Sequence, residues 1–133
     1  MNTEDYKHLI STAPFGYSYH RVIVDDAGKP VDYEFLEVNP AFEKLTGLKS
    51  GDILNRNVKE VIPRISEDKF DWIGFYGEIA LNGGDKEFEQ YSEVLKRWFK
   101  VQVYSPRKYY FSTIFIDITK EKIKVQFWKV FFR

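Results

Sequence analysis

Residues 108–119, KYYFSTIFIDIT, constrain the fold more than any other stretch of the chain. Side chains alternate along an extended backbone, so Tyr109, Phe111, Thr113 and Phe115 share one face and Tyr110, Ser112, Ile114, Ile116 and Ile118 the other. Both faces are apolar. A strand of this kind belongs inside a sheet, covered on one side by the chain's own helices and on the other by a further helix or a second copy.

The 133 residues make one domain, long enough to bury about two thirds of its unfolded surface. Hydrophobic residues are 44% and charged ones 30%, a globular mix, and no run approaches the ~20 apolar residues of a membrane span. The start, MNTEDYKHLISTAPF, has no basic end followed by an apolar block, so no secretory leader is expected. The absence of Cys removes disulfides, thiolate metal sites and cysteine nucleophiles, and fits a cytoplasmic setting. Formal net charge is zero, yet residues 120–133 hold five Lys/Arg against Glu121, leaving a mildly acidic body. That body offers nucleic acid no basic stripe. Twelve Phe, nine Tyr and three Trp either thicken the core of a small sheet or wall a cavity.

In chain order, residues 4–11 form one or two helical turns with Tyr6, Leu9 and Ile10 on one side, a cap that Pro14 stops. Residues 16–24 and 31–38 read as strands joined at Asp25-Asp26-Ala27-Gly28-Lys29-Pro30, where the paired acids are turn formers. Asn39-Pro40 places a capping side chain before a proline at the first helical position, and Gly47 ends that helix. A turn from Ser50 follows, and Asn55 and Asn57 suit left-handed geometry. Ser66 is the expected cap of a longer helix over residues 67–81, with Trp72, Ile73, Tyr76 and Ala80 on one face, broadened by Phe75 and Ile79. Ser66-Glu67-Asp68-Lys69 and Gly83-Gly84 imitate a penicillin-binding motif and a phosphate loop, but neither has its companion residues. Strands follow over 86–92 and 97–104. By alternation Phe88, Gln90 and Ser92, then Phe99, Val101 and Val103, face inward, while Glu87, Glu89 and Tyr91 face outward. Two strands, several helices and three strands make an α+β domain, with one antiparallel sheet of about five strands and helices on one face.

The block FLEVNPAFEKLTGL (35–48), the turn Asp52-Ile53-Leu54, the Trp98-centred strand and Asp117-Ile118-Thr119 before a charged segment come in the order and spacing of a PAS domain. On these pieces residues 15–119 resemble that family. They are most similar to the sensory-box modules that lie upstream of output domains in bacterial sensor histidine kinases of two-component systems and in diguanylate cyclases. The resemblance implies a PAS fold with sheet order 2-1-5-4-3, a ligand cleft between sheet and helices, and dimerisation through flanking helices. It makes residues 1–14 an N-terminal cap helix and 120–133 a signalling-helix linker or tail.

The resemblance also implies exclusions. Flavin photoadducts in light-oxygen-voltage members need a Cys at the position matching Val58, so no covalent flavin is expected. Haem-binding members use a His on the long helix, which has none here; His8 and His20 lie elsewhere. Noncovalent flavin stays open, although Phe115 stands where light-sensing members carry Gln. By inward parity and family position, the cleft would be walled by Trp72, Phe75, Tyr76, Phe88, Phe99, Val101, Phe111, Thr113 and Phe115, with Asn39 and Gln90 as polar contributors. Such walls suit a small organic ligand, or else fill the space themselves.

For signal transmission the resemblance implies that Asp117 pairs with a base or caps the turn from strand to helix, and that Thr119 caps the outgoing helix. Lys122 or Lys124 is the candidate base by proximity. In the tail, Ile123, Phe127, Val130 and Phe131 fit one helix face, while alternation at Val125, Phe127 and Phe131 also permits a strand. The expected function is a sensory module that binds a cytoplasmic ligand or partner and regulates an attached output domain. A ligand-free dimerisation module is the alternative, with a homodimer through the outer face of the last strand. A cone-shaped isomerase-like enzyme is the remote one, and needs an inward carboxylate that Glu87, Glu89 and Glu93 do not supply. No catalytic residue or metal ligand is assigned.

Overall fold

The computed structural model describes residues 1–132. In chain order the elements are α1 (Thr3–Thr12), β1 (Gly16–Val24), β2 (Pro30–Val38), α2 (Pro40–Thr46), α3 (Ser50–Ile53), α4 (Val58–Val61), a 3-10 turn (Ile65–Glu67), α5 (Trp72–Asn82), β3 (Gly84–Ser92), β4 (Arg97–Ser105), β5 (Tyr110–Asp117) and α6 (Thr119–Phe131). The strands form one antiparallel sheet in the order β2-β1-β5-β4-β3, as expected. The strand with two apolar faces is therefore central, between β1 and β4.

Register places Thr113 beside Ser18 and Val103, Phe111 beside His20, and Phe115 beside Gly16 and Val101. These residues share the inner face, over which α2 to α5 pack. Phe111 and Val58 are wholly buried there, with Ile53 and Val103 nearly so. Two glycines permit close approach. A Cβ on Gly77 would run into the Pro30 ring where α5 crosses β2, and one on Gly16 would strike the Phe115 ring.

The helix expected from Glu67 begins instead at Trp72, and its cap is Asp71, which accepts from the Gly74 N–H at 3.0 Å. Ser66 sits within the 3-10 turn. The reason is Asp68. Its buried carboxylate accepts from Trp72 Nε1 (3.1 Å), the Glu93 N–H (3.0 Å), the Phe70 N–H (3.3 Å) and Ser92 Oγ (3.4 Å), which ties the loop to the end of β3 and prevents helix continuation.

Asn55 is left-handed (φ 64), but Asn57 is extended and forms a capping box with Glu60 at the start of α4. Tyr109 also adopts a positive φ (76), so alternation starts at Tyr110 and Tyr109 leaves the inner face. Ile118 lies beyond the strand and is buried, so it is not on the outer face. The tail is helical to Phe131, which removes the strand alternative; Arg133, the last residue of the expected tail, lies outside the described residues.

Candidate ligand cavity and the strand leading out of it

Between the inner face of the sheet and the helices is a cavity of about 90 Å³. Six of the expected residues border it: Trp72 and Tyr76 from α5, Phe99 and Val101 from β4, and Thr113 and Phe115 from β5. The other five stand elsewhere. Phe111 lies behind the wall, stacked between His20 (4.6 Å between ring centres) and Tyr76 (4.8 Å). Phe75 and Phe88 pair with each other at 4.5 Å and join Phe70 in a satellite cluster of rings. Among the described residues Gln90 donates only to the Tyr91 carbonyl (3.4 Å).

Asn39 is a tether. Its Oδ1 accepts from the N–H of Phe42 (2.9 Å) and of Tyr17 (2.9 Å), and its Nδ2 donates to the carbonyls of Ile10 (2.9 Å) and Phe15 (3.0 Å). All four of its hydrogen-bonding positions are engaged with backbone, which leaves none for a ligand.

The first hairpin supplies walls that the sequence reading did not assign: Ser18 and His20 from β1 and Tyr33 and Phe35 from β2. The signal was present, since Ser18, His20 and Val22 alternate as the buried positions of β1 and Tyr33 and Phe35 as those of β2. Ser18 and His20 carry the cavity's main polar feature. His20 Nε2 lies 2.7 Å from Ser18 Oγ, which lies 2.5 Å from Thr113 Oγ1. His20 Nδ1 is buried and meets no partner at ordinary hydrogen-bond geometry among the described residues, the Glu34 backbone acting on the ring only weakly. Burial pushes the imidazole pKa down to about 3, against a smaller opposing effect of the Glu34 backbone, so the ring is neutral. Burial likewise raises the phenols of Tyr33 and Tyr76 well above their usual range, keeping both protonated.

Among the described residues none of the cavity's walls is an Asp, Glu, Lys or Arg, although the buried Asp68 carboxylate lies directly behind Trp72 and Ser92. Glu87, Glu89 and Glu93 pair with Lys100 (3.0 Å), Lys122 (2.6 Å) and Lys69 (3.4 Å) away from it. Among the described residues no cluster of three His, Cys, Asp or Glu is placed to hold a metal, and no helix is long and apolar enough to cross a membrane.

Two residues beyond Phe115, β5 ends in a latch. Asp117 Oδ2 accepts from Arg97 Nη1 at 2.9 Å, and its Oδ1 accepts from the Thr119 N–H at 2.8 Å. The base is thus Arg97, not Lys122 or Lys124, because β4 and β5 run side by side there while Lys122 turns to Glu89 and lies over the Trp98 ring (4.9 Å). Thr119 does not cap α6 with its side chain. Its Oγ1 accepts from the Trp98 N–H (2.9 Å), and the Ile118 N–H donates to the Trp98 carbonyl (2.9 Å). Burial raises the Asp117 pKa, but Thr119 and the Arg97 guanidinium outweigh it and hold the carboxyl below its usual range.

The chain belongs to the PAS domain family, whose model, described as a PAS domain, matches residues 4–80. Solved structures carry the likeness through the remaining strands. An RNA-binding light-oxygen-voltage receptor superposes with a TM-score of 0.64 at 20% identity, over 92% of this chain and 34% of that one. This chain thus spans about a third of that receptor. A domain of a sensory box sensor histidine kinase/response regulator from Geobacter sulfurreducens gives 0.60 at 15% identity, over 86% and 93%. A PAS domain from Colwellia psychrerythraea gives 0.57 at 13%, over 88% and 97%. At these identities the likeness is one of fold. No curated protein matches the sequence.

Proposed function

We propose that this PAS domain is a sensory module: its cavity binds a small organic ligand, and occupancy is passed along β5 to α6 and to an output domain of a longer cytoplasmic protein. A sensor histidine kinase or a diguanylate cyclase is the host expected from the sequence resemblance. The observation that carries the reading is continuity along one strand. Thr113 and Phe115 border the cavity, and Asp117, next on the same face, latches the strand-to-helix turn. A ligand that moves the first two strains the third. The exposed outer face around Ile114, Ile116 and Tyr104 suits a second copy of the chain and supports an interaction role beside the sensory one.

Mass spectrometry of denatured protein should find a co-purified small molecule, and hydrogen exchange should show α6 amides responding to it. Asp117→Asn keeps an acceptor for Thr119 but loses the charge facing Arg97. A half-exposed ion pair contributes ~0–1 kcal/mol, so α6 should exchange up to about fivefold faster in this variant. Unaltered α6 exchange both in Asp117→Asn and on ligand addition would remove the transmission route.

A further inference from the structure

We propose that Asp68 sets the size of what the cavity admits: residues 62–71, the connection from α4 to α5, form a strap that a ligand must lift, and the Asp68 carboxylate is the clasp that resists. The inference rests on the reading of this cavity as the module's ligand site and adds how that site is entered.

Volume makes a moving wall necessary. At about 90 Å³ the cavity is smaller than the ~150 Å³ space known to hold benzene, so an organic ligand of ordinary size enters only where a wall gives way. Burial marks the place. Thr46, Leu48, Ile62, Val94 and Leu95 are half-buried and the other walls are buried, which puts the mouth between the end of α2, the strap and the β3–β4 turn.

Of the elements around the cavity, the strap is fastened least. Asn39 holds α2 to β1. The segment before α4 is bonded to β2 through the Phe35 N–H to the Arg56 carbonyl (3.0 Å) and the Asn55 N–H to the Phe35 carbonyl (2.7 Å). The end of α5 is held to β5 by the Tyr109 N–H on the Ala80 carbonyl (2.9 Å). Among the described residues, the backbone bonds of the strap stay within residues 58–75. The Phe70 ring stacks on Phe88 (5.7 Å between ring centres), and the polar links to the sheet are an exposed Lys69–Glu93 pair (3.4 Å) and Asp68. An exposed pair holds little.

Asp68 is placed to hold more. Its Oδ2 gathers donors from both sides of the mouth, Trp72 Nε1 on one and the Glu93 N–H and Ser92 Oγ on the other. Ser92 Oγ in turn accepts from the Leu95 N–H (3.1 Å). Trp72, Ser92 and Leu95 are themselves walls, so one carboxylate oxygen joins three of them, through bonds of the stronger, carboxylate kind. A ligand that lifts the strap breaks this set, and its affinity is reduced by what the clasp contributes.

The test uses two apolar probes, xenon, which the closed cavity accommodates, and benzene, which needs the strap lifted. Each is titrated into isotope-labelled wild type, Asp68→Asn and Asp68→Ala and followed by nuclear magnetic resonance. Benzene should saturably shift the Trp72 Nε1–H and Glu93 amide resonances of the wild type. It should bind about tenfold more tightly to Asp68→Ala and about threefold more tightly to Asp68→Asn, which keeps one acceptor oxygen, while xenon binds all three alike. Should Asp68→Ala not fold, Asp68→Asn and the wild type decide by the same comparison. The clasp is overturned, with the ligand cavity left standing, by any of four results: benzene affinity that does not rise in the folded variants, affinity that changes in step with that of xenon, benzene binding that leaves Trp72 and Glu93 unmoved, or xenon binding alone. If neither probe perturbs the cavity of any of the proteins, this inference and the ligand-binding half of the proposed function both fall.

Discussion

His20 couples the interior to pH. Unfolded, it takes up a proton near pH ~6.5; folded, it resists until about pH 3, because the rings of Tyr33, Phe35 and Phe111 surround it and no carboxylate faces it. Between those values the unfolded chain binds more protons than the native one, so stability rises with pH and levels off above about 6.5. Denaturant midpoints for wild type should fall on acidification below that point, by ~1.4 kcal/mol per unit at most, and His20→Phe should flatten the profile by that share. Parallel profiles for the two proteins would mean that the imidazole is solvated. Asp117 acts in the same direction but lower: its pKa is depressed, so its contribution is lost only as pH falls below the ordinary carboxylate range near ~3.9.

Asn39 governs how the elements hang together. One amide joins the end of α1, the start of β1 and the first turn of α2, so α1 is fastened rather than simply laid on the domain. Asn39→Asp keeps both acceptor bonds but sets a carboxylate oxygen against the carbonyls of Ile10 and Phe15. The expected result is an intact sheet with α1 released, read as new protease cleavage in residues 12–16, and a loss of ~1–3 kcal/mol. Protection of that link at the wild-type level would show that α1 is held by other contacts. Local signals made α2 readable in the sequence, since its cap, its proline and its terminal Gly47 are all adjacent in the chain. The start of α5 was not readable. Ser66-Glu67-Asp68 has the composition of a helix start, and only the distant Ser92 and Glu93 show that the Asp68 carboxylate is committed to β3.

For the molecule as a whole, the central strand divides an inner layer, sealed by helices, from an outer one where Ile114, Ile116 and Tyr104 stay exposed. If a second copy covers that face, light scattering should report a dimer, and Ile116→Glu should convert it to a monomer with little change in folding; a monomer at every concentration tested would assign the face to another partner. Alternation alone recovered β1 to β5 to within a residue or two and the walls that β4 and β5 contribute, because a half-buried strand writes its orientation into every second residue. The same alternation marks the hairpin walls Ser18, His20, Tyr33 and Phe35. The Arg97–Asp117 latch was not legible, since it depends on which strands are neighbours. A last consequence follows from Asn39 being followed by Pro40. Spontaneous deamidation begins when the next residue's backbone nitrogen attacks the side-chain amide, and proline has no N–H with which to do so. The fastening of α1 is thus shielded from chemical ageing, whereas Asn82, followed by the unhindered Gly83, is where peptide mapping of a long-stored sample should first find an acid in place of an amide.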